Sequence, residues 1–307
     1  MQVTLSELHR ALLRARISVA QYSLIENPSS KPATEQIVQL THPDFIKDVT
    51  SEWEGERDAN GRPLVSDDIL KRMELVTTEE AWGVCRRNGY NDQFAGDWKI
   101  LHPDHILVGR AVTARYVPLR PDINNAIEEL GKKEGRIGGQ NSWVIDELVE
   151  GDALVIEMFG KVRYGTFAGD NLAAAIKAKG NRGMVIDGGI RDTQRIRDIP
   201  DFGTFVRGFD PTAIADLTQT DINGPVRIGE ATCMPGDVVL GTFSGVIFIP
   251  AHLAEEVVVR SEEIRLKDQF GQQRIAEGAY TPGEVDRQFS DAMNEDFENW
   301  KKEQAAK

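Results

Sequence analysis

Apolar residues fall at helical spacing near both ends of the chain and at strand spacing through its middle. Leu5, Leu8, Leu12 and Leu13 share one helical face, which predicts an amphipathic helix at the start. Residues 27–63 are polar and irregular, with turn signals at Asn27-Pro28 and Asn60-Gly61. Ile69, Leu70, Met73 and Leu75 restore a helical pattern. Thr77-Thr78-Glu79-Glu80 then reads as a capped start ahead of Trp82, Val84 and Cys85. From residue 106 the pattern becomes strand-like. ILVGRAVTARYVPL is rich in β-branched residues, and GDALVIEMFG opens on a Gly-Asp turn. A helix after Gly169 buries Leu172 and Ile176. GMVID and GTFVRG are short apolar strands, and PVRIGEATCMPGDVVLGTFSGVIFIP carries three or four more between Gly and Pro turns. Helical spacing returns in HLAEEVVVRSEEIRLKDQF and in a charged tail containing Phe289, Met293, Phe297 and Trp300.

Interleaved helices and strands, with an excess of strands in the second half, predict an α/β fold. The expected architecture is a compact α/β/β core built on a mixed sheet or small barrel, not a doubly wound sheet. Three parts are expected: a partly helical N-terminal extension over 1–75, the core over 76–260, and a helical C-terminal tail over 261–307.

Composition narrows the function classes. A formal charge of −13 argues against nucleic acid, whose phosphate backbone demands a basic face. The pattern contains no run of about 18 apolar residues, so no membrane span is expected. Cys85 and Cys233 lie far apart without metal-ligand spacing and are read as free thiols of a cytoplasmic protein. Loops for dinucleotides or nucleotide phosphates, the nucleophile elbow and the HExxH zinc motif are missing. His102 and His105 sit in LHPDHIL, which reads as a surface turn.

The richest segment is GDNLAAAIKAKGNRGMVIDGGIRD, residues 169–192. Gly169-Asp170 opens a helix, whose free N–H groups favour a carboxylate. The following strand runs back to a glycine turn that presents Arg191 and Asp192. In a compact α/β unit these two loop ends share an edge. Helix amides and a guanidinium then form a two-point clamp for a carboxylate, and Asp192 is placed to ligate a hard cation such as Mg2+.

At these residues the chain resembles the 4-hydroxy-4-methyl-2-oxoglutarate / 4-carboxy-4-hydroxy-2-oxoadipate aldolases, in the superfamily of the regulator of ribonuclease activity A. The resemblance covers roughly residues 106–280. It implies trimers or pairs of trimers with active sites between subunits, and a 2-oxo acid substrate cleaved to pyruvate with the help of Mg2+ or Mn2+. Oxaloacetate decarboxylation through the same enolate is also implied. By this resemblance Asp192 holds the metal, Arg191 contacts the keto oxygen, and the N–H groups of Asn171 and Leu172, beside Gly169, bind the carboxylate. Asp170 orders water for proton transfer, and Asp268 supplies a carboxylate from an adjacent subunit. The chain departs from the family pattern in TAIADLTQTDING, which lacks the usual lysine, and in Thr193-Gln194-Arg195 and GTFSGVIF, which lack usual acidic residues. Two other readings follow: a non-catalytic protein-binding regulator, and a different enolate reaction such as hydration or isomerisation. In the latter, Trp53, Trp82, Trp98, Trp143 and the loop RIGGQNSW could line a reshaped pocket, although core packing suits most of these tryptophans.

Overall fold

The computed structural model describes residues 40–180 and 182–305. The helix expected near residue 5 lies outside them. Three helices come first: α1 (Pro43–Val49), α2 (Asp67–Met73) and α3 (Thr78–Arg87). The capped start of α3 is a complete capping box, in which Thr77 and Glu80 satisfy each other's backbone amides. Then follow β1 (Phe94–Ala95), β2 (Lys99–Ile100), β3 (Leu107–Pro118), α4 (Pro121–Lys133), α5 (Gln140–Asp146), β4 (Asp152–Ala168), α6 (Asp170–Ala178), β5 (Gly183–Ile190), α7 (Thr193–Arg197) and β6 (Gly203–Phe209). The second half continues with β7 (Leu217–Ile222), β8 (Val226–Ile228), β9 (Ala231–Cys233), β10 (Val238–Thr242) and β11 (Gly245–Ile249). Helices α8 (Ala254–Ala276), α9 (Pro282–Val285) and α10 (Asp291–Ala305) close the described chain.

The main sheet is mixed, as its pattern predicts. Strands β3, β4, β5 and β6 lie parallel in sequence order, and β10, β11, β1, β2 and β7 join antiparallel. The two ends of the strand order are β1 and β2, which only residues 96–98 separate. Four Cα steps span at most about 14 Å, so the sheet must curl until its ends nearly meet.

Strand alternation then sorts the side chains. Leu107, Ala111, Ala153, Val155, Val185, Phe205, Val239, Val246 and Phe248 point into the curl, where Val226, Ile228, Ala231 and Cys233 of the β8–β9 hairpin join them. The interior is narrow: a side chain at Gly241 would meet the Phe205 ring at 2.7 Å. Outside the curl, Val112, Leu154, Ile156, Ile186 and Val206 pack under α4–α7. On another outer face, Val108, Val238, Leu240, Ile247 and Ile249 pack under α2, α3 and α8. Cys85 and Cys233 are free and buried in two different layers.

Residues 40–75 are built into these layers. Leu40 joins the first outer layer, and Val65, Leu70 and Met73 join the second. Helix α8 runs unbroken through position 260, because Val257, Val258 and Ser261 stay buried along one side without a Gly or Pro to end it. Beyond it, Phe270, Met293, Phe297 and Trp300 form a small aromatic core of their own. Among the described residues, no helix is long and apolar enough to cross a membrane.

One buried ion pair ties the early segment to the sheet. The Arg62 guanidinium grips Asp152 with two bonds of 2.8 and 3.0 Å, and both side chains are essentially inaccessible. Asp58 takes the Arg62 Nε–H at 3.0 Å, and the Val149 amide donates to Asp152 at 2.9 Å. These carboxylates outweigh burial and raise the Arg62 pKa. Removing one partner of such a pair leaves the other charged and desolvated, which costs about 3–5 kcal/mol. Arg110 Nε stays 3.5 Å from Asp152, so Arg62→Met is expected to lower unfolding free energy by about 3 kcal/mol, the low end of that range, in a urea titration.

Candidate functional site

The parallel pairing of β4 with β5 builds the site. Their register ends on Ala168 opposite Ile190, and the Arg191 N–H donates to the Ala168 carbonyl at 3.1 Å. Each strand stops at that rung. The residue after β4 is Gly169, the N-cap of α6, and the residues after β5 are Arg191 and Asp192. The two loop ends are therefore neighbours by hydrogen bonding, as the sequence pattern predicts.

Gly169 is needed for this approach. A Cβ there would lie 2.4 Å from Asp192 Oδ2 and 3.0 Å from Arg191 Nε. Arg191 Nε stands 3.4 Å from Asp192 Oδ2, and both side chains are a little under half exposed. Asp192 adopts a left-handed conformation, φ 54° and ψ 35°, which is uncommon for a non-glycine residue. Its carbonyl is tied down by the Arg195 and Ile196 amides at 3.0 and 3.1 Å, so the short helix α7 holds the turn.

Asp170 is engaged on both oxygens. Oδ1 accepts the Asn171 N–H at 2.9 Å, and Oδ2 accepts from Arg195 at 2.8 Å. The Arg195 bond, followed by the helix amide, holds the Asp170 carboxyl below the usual aspartate range, and Arg195 is raised in turn. One of the two amides assigned to a substrate carboxylate is thus filled by the protein's own carboxylate. Arg195 was not among the predicted site residues; its spacing of three from Asp192 on a short helix is the signal that could have marked it.

A cleft of about 100 Å³ lies beside these groups, lined by Gly169, Asp170, Asn171, Leu172, Arg191 and Asn141; the last belongs to the first turn of α5, so RIGGQNSW, expected as a loop, is helical from Gln140. Asn141 Nδ2 donates to the Phe167 carbonyl at 2.8 Å, and Ala213 and Ile214 close the far wall. Asp268 lines a different cleft, beside Arg287 and Asn294. Of the four tryptophans considered for a reshaped pocket, Trp143 is buried and Trp82 is exposed. Trp98 lies 3.7 Å beneath the Arg207 guanidinium, which pairs with Asp187 at 2.7 Å. His102 and His105 form a turn, with the His105 amide donating to the His102 carbonyl.

Among the described residues, no three His, Cys, Asp or Glu side chains converge as a metal cage. Asp192, a little under half exposed beside Gly169 and outside the lining of the Arg191 cleft, is a single carboxylate and suits only a cation that keeps most of its water, as Mg2+ does.

Residues 65–248 match the RraA-like family described as Aldolase/RraA. The chain belongs to this family. It is 32% identical over 126 residues to an uncharacterised protein of Methanocaldococcus jannaschii, covering 41% of this chain and 60% of that one. It is 27% identical over 107 residues to the 4-hydroxy-4-methyl-2-oxoglutarate aldolase of Thermus thermophilus, covering 35% and 64%. Each match spans less than two thirds of that relative's length. The fold is similar to Streptomyces coelicolor RraAS2, described as an unusual member of the RNase ES inhibitor RraA protein family. That likeness has a TM-score of 0.59 and 24% identity, over 69% of this chain and all of that one.

Arg195→Gln is expected to raise the Asp170 pKa toward the ordinary aspartate range, because the cation that favours its charged form is removed. Carboxyl 13C NMR across a pH titration reads this directly; an unmoved Asp170 would contradict the pairing.

Proposed function

We propose that this chain is a divalent-metal-dependent carbon–carbon lyase that cleaves a 4-hydroxy-2-oxo acid to pyruvate and also decarboxylates oxaloacetate. The observation that carries this reading is the meeting of Arg191 and Asp192 against the start of α6, with Arg191 and Asp170 lining the cleft beside them. The aldolase name of the Thermus thermophilus relative supports it.

In this reading the pyruvyl end of the substrate enters beside Gly169, with its carboxylate toward the first amides of α6 and the Arg191 guanidinium. To admit it, Asp170 Oδ1 yields the Asn171 amide while Arg195 keeps hold of Oδ2. Breaking the C3–C4 bond sends its electron pair toward the keto oxygen and leaves a carbonyl at C4, whose hydroxyl gives up its proton. Arg191, at the cleft wall, would face the oxygen that gains charge, and such preorganised stabilisation is usually the largest catalytic contribution. Asp170, held ionised by Arg195, orders the water that takes the C4 proton and later returns one to C3. Asp192 would hold Mg2+ or Mn2+, which when bound supplies Lewis-acid stabilisation of the same developing charge. Decarboxylation of oxaloacetate uses the same charge stabilisation and needs no base at a hydroxyl. Assembly as a homotrimer or homohexamer, with Asp268 from an adjacent subunit beside the cleft, belongs to the same proposal.

The test couples pyruvate release to lactate dehydrogenase, with and without EDTA, across 4-hydroxy-2-oxo acids and oxaloacetate. Activity is expected only with the metal present. Asp192→Ala is expected to lower it about 100-fold, the scale of losing one electrostatic contact to the transition state. Turnover untouched by EDTA and by Asp192→Ala would reject the mechanism. Gly169→Ala is expected to leave the circular dichroism spectrum unchanged while reducing activity at least about tenfold, because the new methyl displaces Asp192 and Arg191.

A further inference from the structure

A second cavity, of about 400 Å³, lies between the segment after α1, the segment after α3 and the turns flanking β10 and β11. It shares no lining residue with the Arg191 cleft. Its volume is in the range of small-molecule sites. The walls combine two aromatic side chains, Trp53 and Tyr90, with three acids, Glu52, Asp92 and Asp237. Among the described residues, no lysine or arginine lines it.

Its one basic group is His252. His252 shares a 3.2 Å hydrogen bond with the Tyr90 hydroxyl, and burial lowers its pKa from the ordinary histidine value. Glu52 lies close enough to act on both rings, raising Tyr90 further and partly offsetting the burial of His252. Trp53 is fixed in place, since its indole N–H donates to the Glu56 carbonyl at 2.8 Å. At the inner wall Asp237 is buried and accepts from the Met234 amide at 2.8 Å. No ion pair among the described residues involves it. Burial pushes its carboxyl up to about 8, the behaviour of an acid lacking a cation beside it.

We infer that this cavity binds a small organic ammonium compound with an apolar body. An anion would meet acids without a compensating cation. A bare metal ion lacks a converging ligand set here, since no three acidic or histidine groups come together among the described residues. An ammonium group gains from the Glu52 and Asp92 carboxylates and from the electron-rich faces of Tyr90 and Trp53, while its apolar body fills the space between the rings. The 2-oxo acid site and this one are therefore opposite in sign, and binding here does not depend on the lyase reading.

The experiment is isothermal titration of the full chain with phenethylammonium chloride, with sodium 3-phenylpropionate as a matched acid. Saturable 1:1 binding of the amine and no saturable binding of the acid are expected. Glu52→Gln/Asp92→Asn changes only exposed rim residues and is expected to weaken amine binding at least fivefold. Tyr90→Phe, which keeps the ring face, is expected to retain binding within about twofold. Absence of amine binding, equal binding of the acid, or unchanged affinity in the rim double variant would each overturn the inference.

Discussion

The site depends on a single rung of backbone pairing. Ala168 and Ile190 close the parallel ladder of β4 and β5, and the Arg191 amide extends it by one bond to the Ala168 carbonyl. Everything chemical follows from chain continuity past that rung. One strand must begin a helix, the other must turn, and a glycine on the helix side lets the turn come close. A slip of one residue in a ladder carries side chains to the opposite face. Here it would separate the guanidinium and carboxylate from the start of the helix. Val155, Ile156, Val185 and Ile186 are all fully buried on the two faces of these strands, and that burial guards the register.

The scaffold's second anchor is electrostatic. Asp152 opens β4 and is held by Arg62, while Arg110 lies 3.5 Å from it on the neighbouring strand. Arg110 in turn bonds the Val65 carbonyl and Asp67, both at 2.8 Å. A segment rich in turns is thus fastened to the sheet by charge as well as by its buried Val65, Leu70 and Met73.

The elements were legible in the sequence wherever burial imposes a period. The apolar run before Asp187, the β-branched run after residue 106 and the capped Thr77 start correspond to observed elements. The meeting of Gly169 with Arg191-Asp192 was also legible, since a strand–helix–strand unit returns consecutive loop ends to one edge. Three things were not. The curl of the sheet depends on β1 and β2, each only two residues long, and such short strands carry no readable alternation. The electrostatic part of the fastening of residues 40–75 rests on Arg62 and Arg110, which sequence reading takes as surface charges because arginine is seldom buried. The Asp170–Arg195 bond was hidden because its partners lie 25 positions apart, on elements whose mutual approach only the fold supplies.

Strand β3 takes partners along its whole length: β10 over Leu107–Arg110, β4 from Arg110 to Arg115, and β7 beyond Ala114. Two of these partners arrive late, with Val108 opposite Leu240. Closing a loop of that size costs entropy before contacts repay it, and such topologies fold slowly. A nascent chain therefore carries β3 half-paired, with its backbone donors and acceptors open, until the last core hairpin has emerged from the ribosome. Until then an open strand edge of that kind is exposed to pairing with the wrong partner.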